Sequence, residues 1–411
     1  MSKSTSHPLF LGMRTEIDIN VRQPTLSIAV ICILAATALA VAMGIGRFAF
    51  TPLLPLMVRD GSLALGAGAW LAASNYLGYL AGAFTAARLG LSPSALMRAS
   101  LAGIVVTTAA MGGLDSIAVW TILRFAAGIF SAWALVAVSA WILPQLVEAR
   151  RTELSGLVYA GVGLGIAVTG LFCLVAAQPG VSARWLWLEL GLLAALAVIP
   201  LGLLAGRPHE VSSKVQSPLP GDSTSRPHVG LVICYGALGF GYILPATFLP
   251  ALAREVWDNP QVFGLAWPIF GMSAAVSTLV AARYLPRANW LRVWAISHAI
   301  MAAGVILPSI WLTPLVIAIA ALAVGSTFMI ATMVGLQEAR ARTPENPSAA
   351  MGAMTTAFAL GQLAGPLVSG AFDLLHIGHR AALGYALLLS ALALAWSAIH
   401  LWRQSQHERS T

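Results

Sequence analysis

The chain has 411 residues, of which 58% are hydrophobic and only 9% charged, with a formal net charge of +8 and a mean hydropathy of +0.83. Ordinary soluble domains carry about 25% charged residues, so this composition excludes a water-soluble globular protein and indicates a chain that crosses a bilayer many times. The positive charge does not indicate nucleic acid, because the basic residues come one to three at a time between apolar runs and do not cluster on one segment.

Met1 to Pro24 is polar, carries Lys3, Arg14 and Arg22, and lacks a short apolar core followed by a small-residue cleavage site. Residues 1–25 are therefore read as a cytoplasmic tail, not a secretory leader. A membrane span needs about 20 mostly apolar residues. Twelve runs qualify, near 26–58, 64–88, 96–114, 116–143, 154–177, 184–206, 229–253, 262–285, 290–311, 313–336, 349–373 and 380–402. With no water to satisfy the backbone, each is predicted to be a helix, giving an all-α polytopic membrane protein. Cys32, Cys173 and Cys234 all fall inside these runs without CxxC pairing, so they read as small core residues.

Most of the 23 basic residues fall on the side of the N-terminus, while only Arg59, Arg184, Arg254 and Arg380 fall on the other. The excess of Lys and Arg marks the cytoplasmic side, so both termini of this multi-pass protein are expected in the cytoplasm. The longest polar interruption, "GRPHEVSSKVQSPLPGDSTSRPHV" at 206–229, is rich in Ser and Pro and reads as a flexible linker. It divides the chain into an N-terminal six-helix bundle (26–206), a cytoplasmic linker (207–228), a C-terminal bundle (229–402) and a short tail (403–411).

The halves read as duplicates. "AMGIGRFAFTPLLPLMVRD" from Ala42 aligns without gaps on "ALGFGYILPATFLPALARE" from Ala237 at an offset of 195, pairing Gly44 with Gly239, Gly46 with Gly241, Pro55 with Pro250 and Arg59 with Arg254. At the same offset Ala86-Ala87-Arg88 matches Ala281-Ala282-Arg283. A register shared by two consecutive helices marks an internal repeat, and a parallel six-plus-six repeat is one transporter architecture.

On these features the chain resembles the major facilitator superfamily. Span four carries "LRFAAGIFSA", similar to the family's RxxxG pattern at Arg124 and Gly128. Spans five and eleven carry "GLVYAGVGLGIAVTG" and "GAMTTAFALGQLAGPLVSG", similar to its glycine-rich helices. The run "GIGRFAFTPLLPLM" resembles the bacterial YbfB/YjiJ-like branch, which implies a bacterial inner membrane as the location. One pattern departs: where the family commonly reads GxxxDRxGRR, "AFTAARLGLSPSALMR" keeps Arg88 and Gly90 but has Ala83 and Ala87 for the first Gly and the Asp. The resemblance implies a fold in which spans one, four, seven and ten line a central cavity, with the two halves rocking about it.

A charged residue at mid-membrane is a functional candidate by default. Arg47 and Arg124 are expected at similar depth, both facing one wet passage. No acid lies mid-span beside them, so the expected partner is a small-molecule substrate, and a planar fork of donors suits a carboxylate or phosphate. The competing reading of Arg47 is a packing arginine that takes carbonyls freed by Pro52 and Pro55. For Arg124 it is a general structural or proton-coupling role. Tyr242, the repeat partner of Arg47, joins Asn75, Tyr76, Tyr79 and Gln362 as pocket candidates, with Tyr235, Thr332 and Met333 behind them. Gly44, Gly46, Gly161, Gly165, Gly361 and Gly365 are expected to let helices approach closely, the last four on surfaces that slide as the halves rock.

A coupling proton would need a titratable carrier, and Glu189, expected near Arg184, and His298 are poor ones, His298 reading as a structural histidine. The spacing of Asp373, His376 and His379 is a weak metal signal, and no metal or cofactor is expected. No HExxH, GxSxG, P-loop or CxxC appears, and "GVGLG" lies in an apolar helix without the strand a dinucleotide site requires, so no enzyme is expected. The reading is a monomeric secondary active transporter moving an organic anion by alternating access. Export of amphipathic drugs is the alternative, and a transporter-like sensor the more distant one.

Overall fold

A computed structural model describes residues 27–86, 88–178, 180–204, 228–256, 264–284, 288–343, 347–374 and 379–410. Residues 1–26 and 205–227, which hold most of the tail and the linker, lie outside them. The described elements are helical, with no strand among them. In chain order the long helices are α1 (Ile28–Arg59), α2 (Leu65–Ala86), α3 (Pro93–Gly113), α4 (Ile117–Glu148), α5 (Ser155–Ala176), α6 (Ala183–Leu204), α7 (Val229–Val256), α8 (Ala266–Tyr284), α9 (Trp290–Ile310), α10 (Pro314–Arg342), α11 (Pro347–Leu374) and α12 (His379–Ser410).

Several starts carry a cap legible in the sequence. The Ser92 hydroxyl accepts from Ala95 N ahead of Pro93, and Thr313 does the same for Val316 N ahead of Pro314. Each satisfies an orphan amide where proline already lacks one. Helix ends run past the apolar stretches: α4 reaches Glu148, α10 reaches Arg342, and α12 continues through the expected tail to Ser410. Apolarity stops at the hydrocarbon edge, whereas a helix stops only at a breaker, such as Arg150 with φ 53° after α4.

Among the described residues ten helices are long and apolar enough to cross a membrane, and α2 and α8 are not among them. This differs from the expectation of twelve apolar runs. The two helices are still 22 and 19 residues long, about 33 and 28 Å at 1.5 Å per residue. Polar side chains dilute their hydropathy: in α2, Ser74 and Asn75 donate to the Thr121 and Arg124 carbonyls of α4, and in α8, Ser273, Ser277 and Thr278 donate to carbonyls of their own helix. The two helices hold matching places in the two halves.

The halves pack alike. In the first, α2 and α3 pack on α4, α3 on α6, and α1 on α5; in the second, α8 and α9 pack on α10, α9 on α12, and α7 on α11. Each contact recurs six helices later. The halves meet along α5 against α8, α2 against α11, and the Phe50–Arg59 part of α1 against α7.

Small residues make these seams close. A methyl carbon added at Gly163 of α5 would lie 2.4 Å from the Ala275 nitrogen of α8, and one at Gly271 of α8 would lie 2.3 Å from the Ala167 nitrogen. The expectation that Gly161 and Gly165 form a surface between sliding halves is therefore corrected. They face Ala36 and Ala40 of α1 within their own half, as Gly361 and Gly365 face Gly236 and Ile243 of α7. The side of α5 turned to the other half carries Gly156, Gly163 and Gly170 instead.

At the end carrying Arg59 and Arg254, prolines supply the acceptors that join α1 to α7. Pro250 has no N–H, so the Ala246 carbonyl four residues earlier has no helical donor. The Thr51 hydroxyl of α1 takes it at 2.9 Å. Arg254 Nη1 donates to the Pro55 carbonyl at 2.5 Å. We expect Thr51→Val to orphan the Ala246 carbonyl, cost about 1–3 kcal/mol and lower the thermal midpoint in detergent, with Thr51→Ser restoring it. An unchanged midpoint in the valine variant would show that this bond does not hold the halves.

Candidate functional site: an arginine cluster between the halves

The repeated motif does not continue α1 as a regular helix. Ile28–Leu39 is α-helical, Ala40–Arg47 is π-helical, and α-helix resumes over Phe50–Arg59. The Phe48 amide reaches back five residues to the Met43 carbonyl at 3.0 Å. Pro52 cannot donate to Phe48, and the Thr51 amide bonds the Phe48 carbonyl at 3.1 Å, leaving the Arg47 carbonyl open. Such π segments recur at functional sites because they re-aim a side chain within a helix.

Arg124 of α4 takes the freed carbonyls. Its Nη2 donates to the Arg47 carbonyl at 2.8 Å and its Nη1 to Gly46 at 3.2 Å, while its guanidinium lies 5.2 Å from the Phe50 ring centre. The competing role for Arg47, binding carbonyls released by the proline kink, belongs to Arg124. Gly128, the glycine of the RxxxG pattern, makes this arrangement possible. A methyl carbon there would lie 2.0 Å from the Asn75 carbonyl oxygen, so glycine lets α2 approach α4. Asn75 Nδ2 then donates to the Arg124 carbonyl at 2.8 Å.

That approach also delivers α2's tyrosines to Arg47. The Arg47 guanidinium carbon lies 3.8 Å from the Tyr79 ring centre, 5.4 Å from that of Tyr76 and 5.5 Å from that of Phe48. A desolvated cation–π contact contributes about 2 kcal/mol, which offsets part of the cost of burying the charge. Arg47 Nη2 donates at 2.5 Å to Gln362 Oε1 of α11 in the opposite half, and Gln362 Nε2 donates to the Tyr242 hydroxyl of α7. Arg47 Nε and Nη1 have no hydrogen-bond partner among the described residues. The Tyr76 hydroxyl pairs with Thr247 Oγ1 of α7 at 2.8 Å.

Arg47, Asn75, Tyr76, Tyr79, Arg124, Tyr242 and Gln362 thus converge from five helices on one locus. Residues missed by sequence reasoning complete it. Phe328 and Phe358 stack on the Tyr242 ring with centroids 5.3 and 5.6 Å away, and Thr51 and Thr247 tie the halves beside it. Of these only Thr51 left a signal, since it lies at the repeat offset from Ala246, just ahead of a repeated proline. Tyr235 donates to the Thr332 carbonyl at 3.3 Å and its ring lies 5.3 Å from that of Phe358, while Met333 is half-buried. Gly44 faces Gly165, and Gly46 faces Ser131 and Ile104, so both serve packing within the first half.

The expected wet passage around the arginines is not open in this conformation. Arg47 and Arg124 are each 2% exposed and Gln362 0%. A small open-sided cavity lies at the Arg59 and Arg254 end, lined by residues including Pro52, Leu56, Cys173 and Pro250. Another small one is lined by His228, Leu231, Thr343 and Met354, among others. Neither is lined by Arg47 or Arg124. Aromatic rings and the Gln362 amide close around Arg47, so the locus is occluded.

His298 lies away from this cluster, between α9 and α12. Its Nε2 accepts from Trp294 Nε1 at 2.8 Å and its Nδ1 pairs with Ser397 Oγ at 2.8 Å. Accepting at Nε2 places the proton on Nδ1, so both ring nitrogens are engaged. Arg184 pairs with Asp115 at 2.9 Å, where Glu189 was the expected neighbour. The side chains of Asp373, His376 and His379 lie outside those described.

Two six-helix halves with matching internal packing, joined around a buried polar locus, define a multi-pass membrane protein of the major facilitator class. The chain matches, over residues 39–401, the family described as "Uncharacterised MFS-type transporter YbfB". It belongs to that family, and is a secondary transporter with a small-molecule substrate. No curated protein matches it. Among solved structures it is similar to a crystal structure of a point mutant of the nucleoside transporter NupG, at a TM-score of 0.66 and 13% identity, covering 91% of this chain and 99% of that one. At that identity the likeness is one of fold.

Proposed function

We propose that the protein carries a small organic anion across a bacterial inner membrane by alternating access, with Arg47 as the anion's contact and Arg124 as the group that holds Arg47's helix in shape. One observation carries the reading: a buried arginine between the halves keeps two donor nitrogens without hydrogen-bond partners among the described residues. Its one side-chain acceptor is a neutral amide. The described ion pairs, at Arg59, Arg151, Arg184 and Arg342, all involve other arginines. An uncompensated buried cation is costly, and a carboxylate arriving between the halves would relieve that cost with a bidentate pair.

The halves, 26–206 and 229–402, would rock about this locus as a monomer with both termini cytoplasmic, an orientation supported by the basic residues on that side. The end closed by Thr51 and Arg254 would then face outward. Export of amphipathic compounds is a second reading, favoured by the stacked rings of Phe270, Phe328, Tyr242 and Phe358.

Proteoliposome uptake of labelled benzoate, pyruvate and succinate, with and without a pH gradient, tests the first reading. Saturable uptake of at least one, competed by unlabelled acid, is expected. Transport of lipophilic cations with no carboxylate uptake would replace it by the second.

A further inference from the structure

Gln362 is chemically matched to an absent carboxylate. It belongs to α11, is 0% exposed, and places an sp² oxygen 2.5 Å from Arg47 Nη2. Its amide orientation follows from chemistry, because the reversed amide would set donors against donors. Its nitrogen is spent on the Tyr242 hydroxyl, and Tyr242 is itself held between Phe328 and Phe358. The amide is therefore anchored in one half while it holds the cation of the other. It uses one edge of the guanidinium, leaving Nε and Nη1 open. A permanent carboxylate at this position would satisfy Arg47 too well to be displaced, whereas an apolar side chain would leave the charge buried alone.

We propose that Gln362 is a positioning residue that stands in for the substrate's carboxylate. It bridges Arg47 to the opposite half so that the empty carrier can close, and it yields to a carboxylate-bearing substrate that offers two charge-assisted bonds in place of one. The proposal rests on the reading of Arg47 as the anion's contact.

The test needs no substrate. Cys173 lines the cavity between the halves at the Arg254 end. Ala282, which faces Gly156 across the α5–α8 seam, marks the other end. In a Cys32→Ala, Cys234→Ala background, with Ala282→Cys added in a parallel protein, N-ethylmaleimide reports opening at either end. Gln362→Ala should react about tenfold faster than its parent at one of the two positions, because the unpaired guanidinium disfavours the closed state. Gln362→Glu should react as slowly as the parent, and Arg47→Ala combined with Gln362→Ala should be slow again, since no cation then remains to be buried.

Equal rates in Gln362→Ala and its parent at both positions would overturn the proposal, as would a double variant as fast as the single one. Millimolar benzoate, pyruvate or succinate should re-protect Gln362→Ala. If the ordering of rates holds and none of these acids re-protects, the anion reading of the site fails by itself.

Discussion

Arg47→Lys should raise the KM for a transported carboxylate about 10- to 150-fold, the range that follows from losing a charge-assisted bond of about 1.5–3 kcal/mol. An ammonium keeps the charge but not the planar fork, and it cannot lie flat on the Tyr79 ring as the guanidinium does at 3.8 Å. Arg47→Ala should remove uptake altogether. The matching change at Arg124 should look different. Its donors serve the Gly46 and Arg47 carbonyls, so Arg124→Lys should lower the thermal midpoint and the amount of folded carrier, with a KM shift only among molecules that fold. Kinetics and melting curves measured on both variants separate the roles. An unchanged KM in Arg47→Lys would remove Arg47 from the substrate site.

Gly128→Ala should be among the most damaging single methyl additions in the chain. The new carbon would sit 2.0 Å from the Asn75 carbonyl oxygen and 2.8 Å from the Tyr79 nitrogen, and main-chain atoms cannot swing aside as a flexible side chain can. Overpacking costs about 1–3 kcal/mol where a core can adjust, and here adjustment means moving α2 bodily from α4. That movement would carry Asn75 off the Arg124 carbonyl and Tyr79 off Arg47. The expected result is a lowered thermal midpoint together with loss of uptake, because one displacement does both. Gly202→Ala is the control: nothing lies within 4 Å of its added carbon, and it should melt at or above the parent temperature. Native melting and uptake in Gly128→Ala would show that the α2–α4 crossing has slack the coordinates do not suggest.

Much of this architecture can be read before any coordinates. Apolar runs in a bilayer must be helices, and the repeat of "AMGIGRFAFTPLLPLMVRD" announces two like halves. The match carries into packing: Gly44 meets α5 at Gly165, and its partner Gly239 meets α11 at Phe358. The pocket candidates converge because polar residues in apolar helices have few places to go other than toward one another.

Other features lay beyond one-dimensional reading. Gly161 and Gly165 sit one turn apart on one face of α5, while Gly156, Gly163 and Gly170 mark another. Spacing cannot tell which face meets α1 and which meets α8. The π segment depends on donors from α4, since Arg124 satisfies carbonyls that a regular helix would have used. For the same reason the sequence could not say which arginine serves the kink and which is left with open donors. α2 falls short in hydropathy because its polar groups, costly against lipid, are bonded to neighbouring helices, whereas α8's hydroxyls bond carbonyls of their own helix.

The closure at the Arg254 end carries one last implication. Thr51 and Arg254 bond main-chain oxygens, and Tyr76 bonds the Thr247 hydroxyl. None of these groups is a carboxylate or an imidazole. Acidifying the adjoining compartment therefore has nothing within these bonds to neutralise, and a proton gradient would have no direct means of releasing them. If the halves part there as proposed, these three bonds would be released by a mechanical pull from the centre of the molecule.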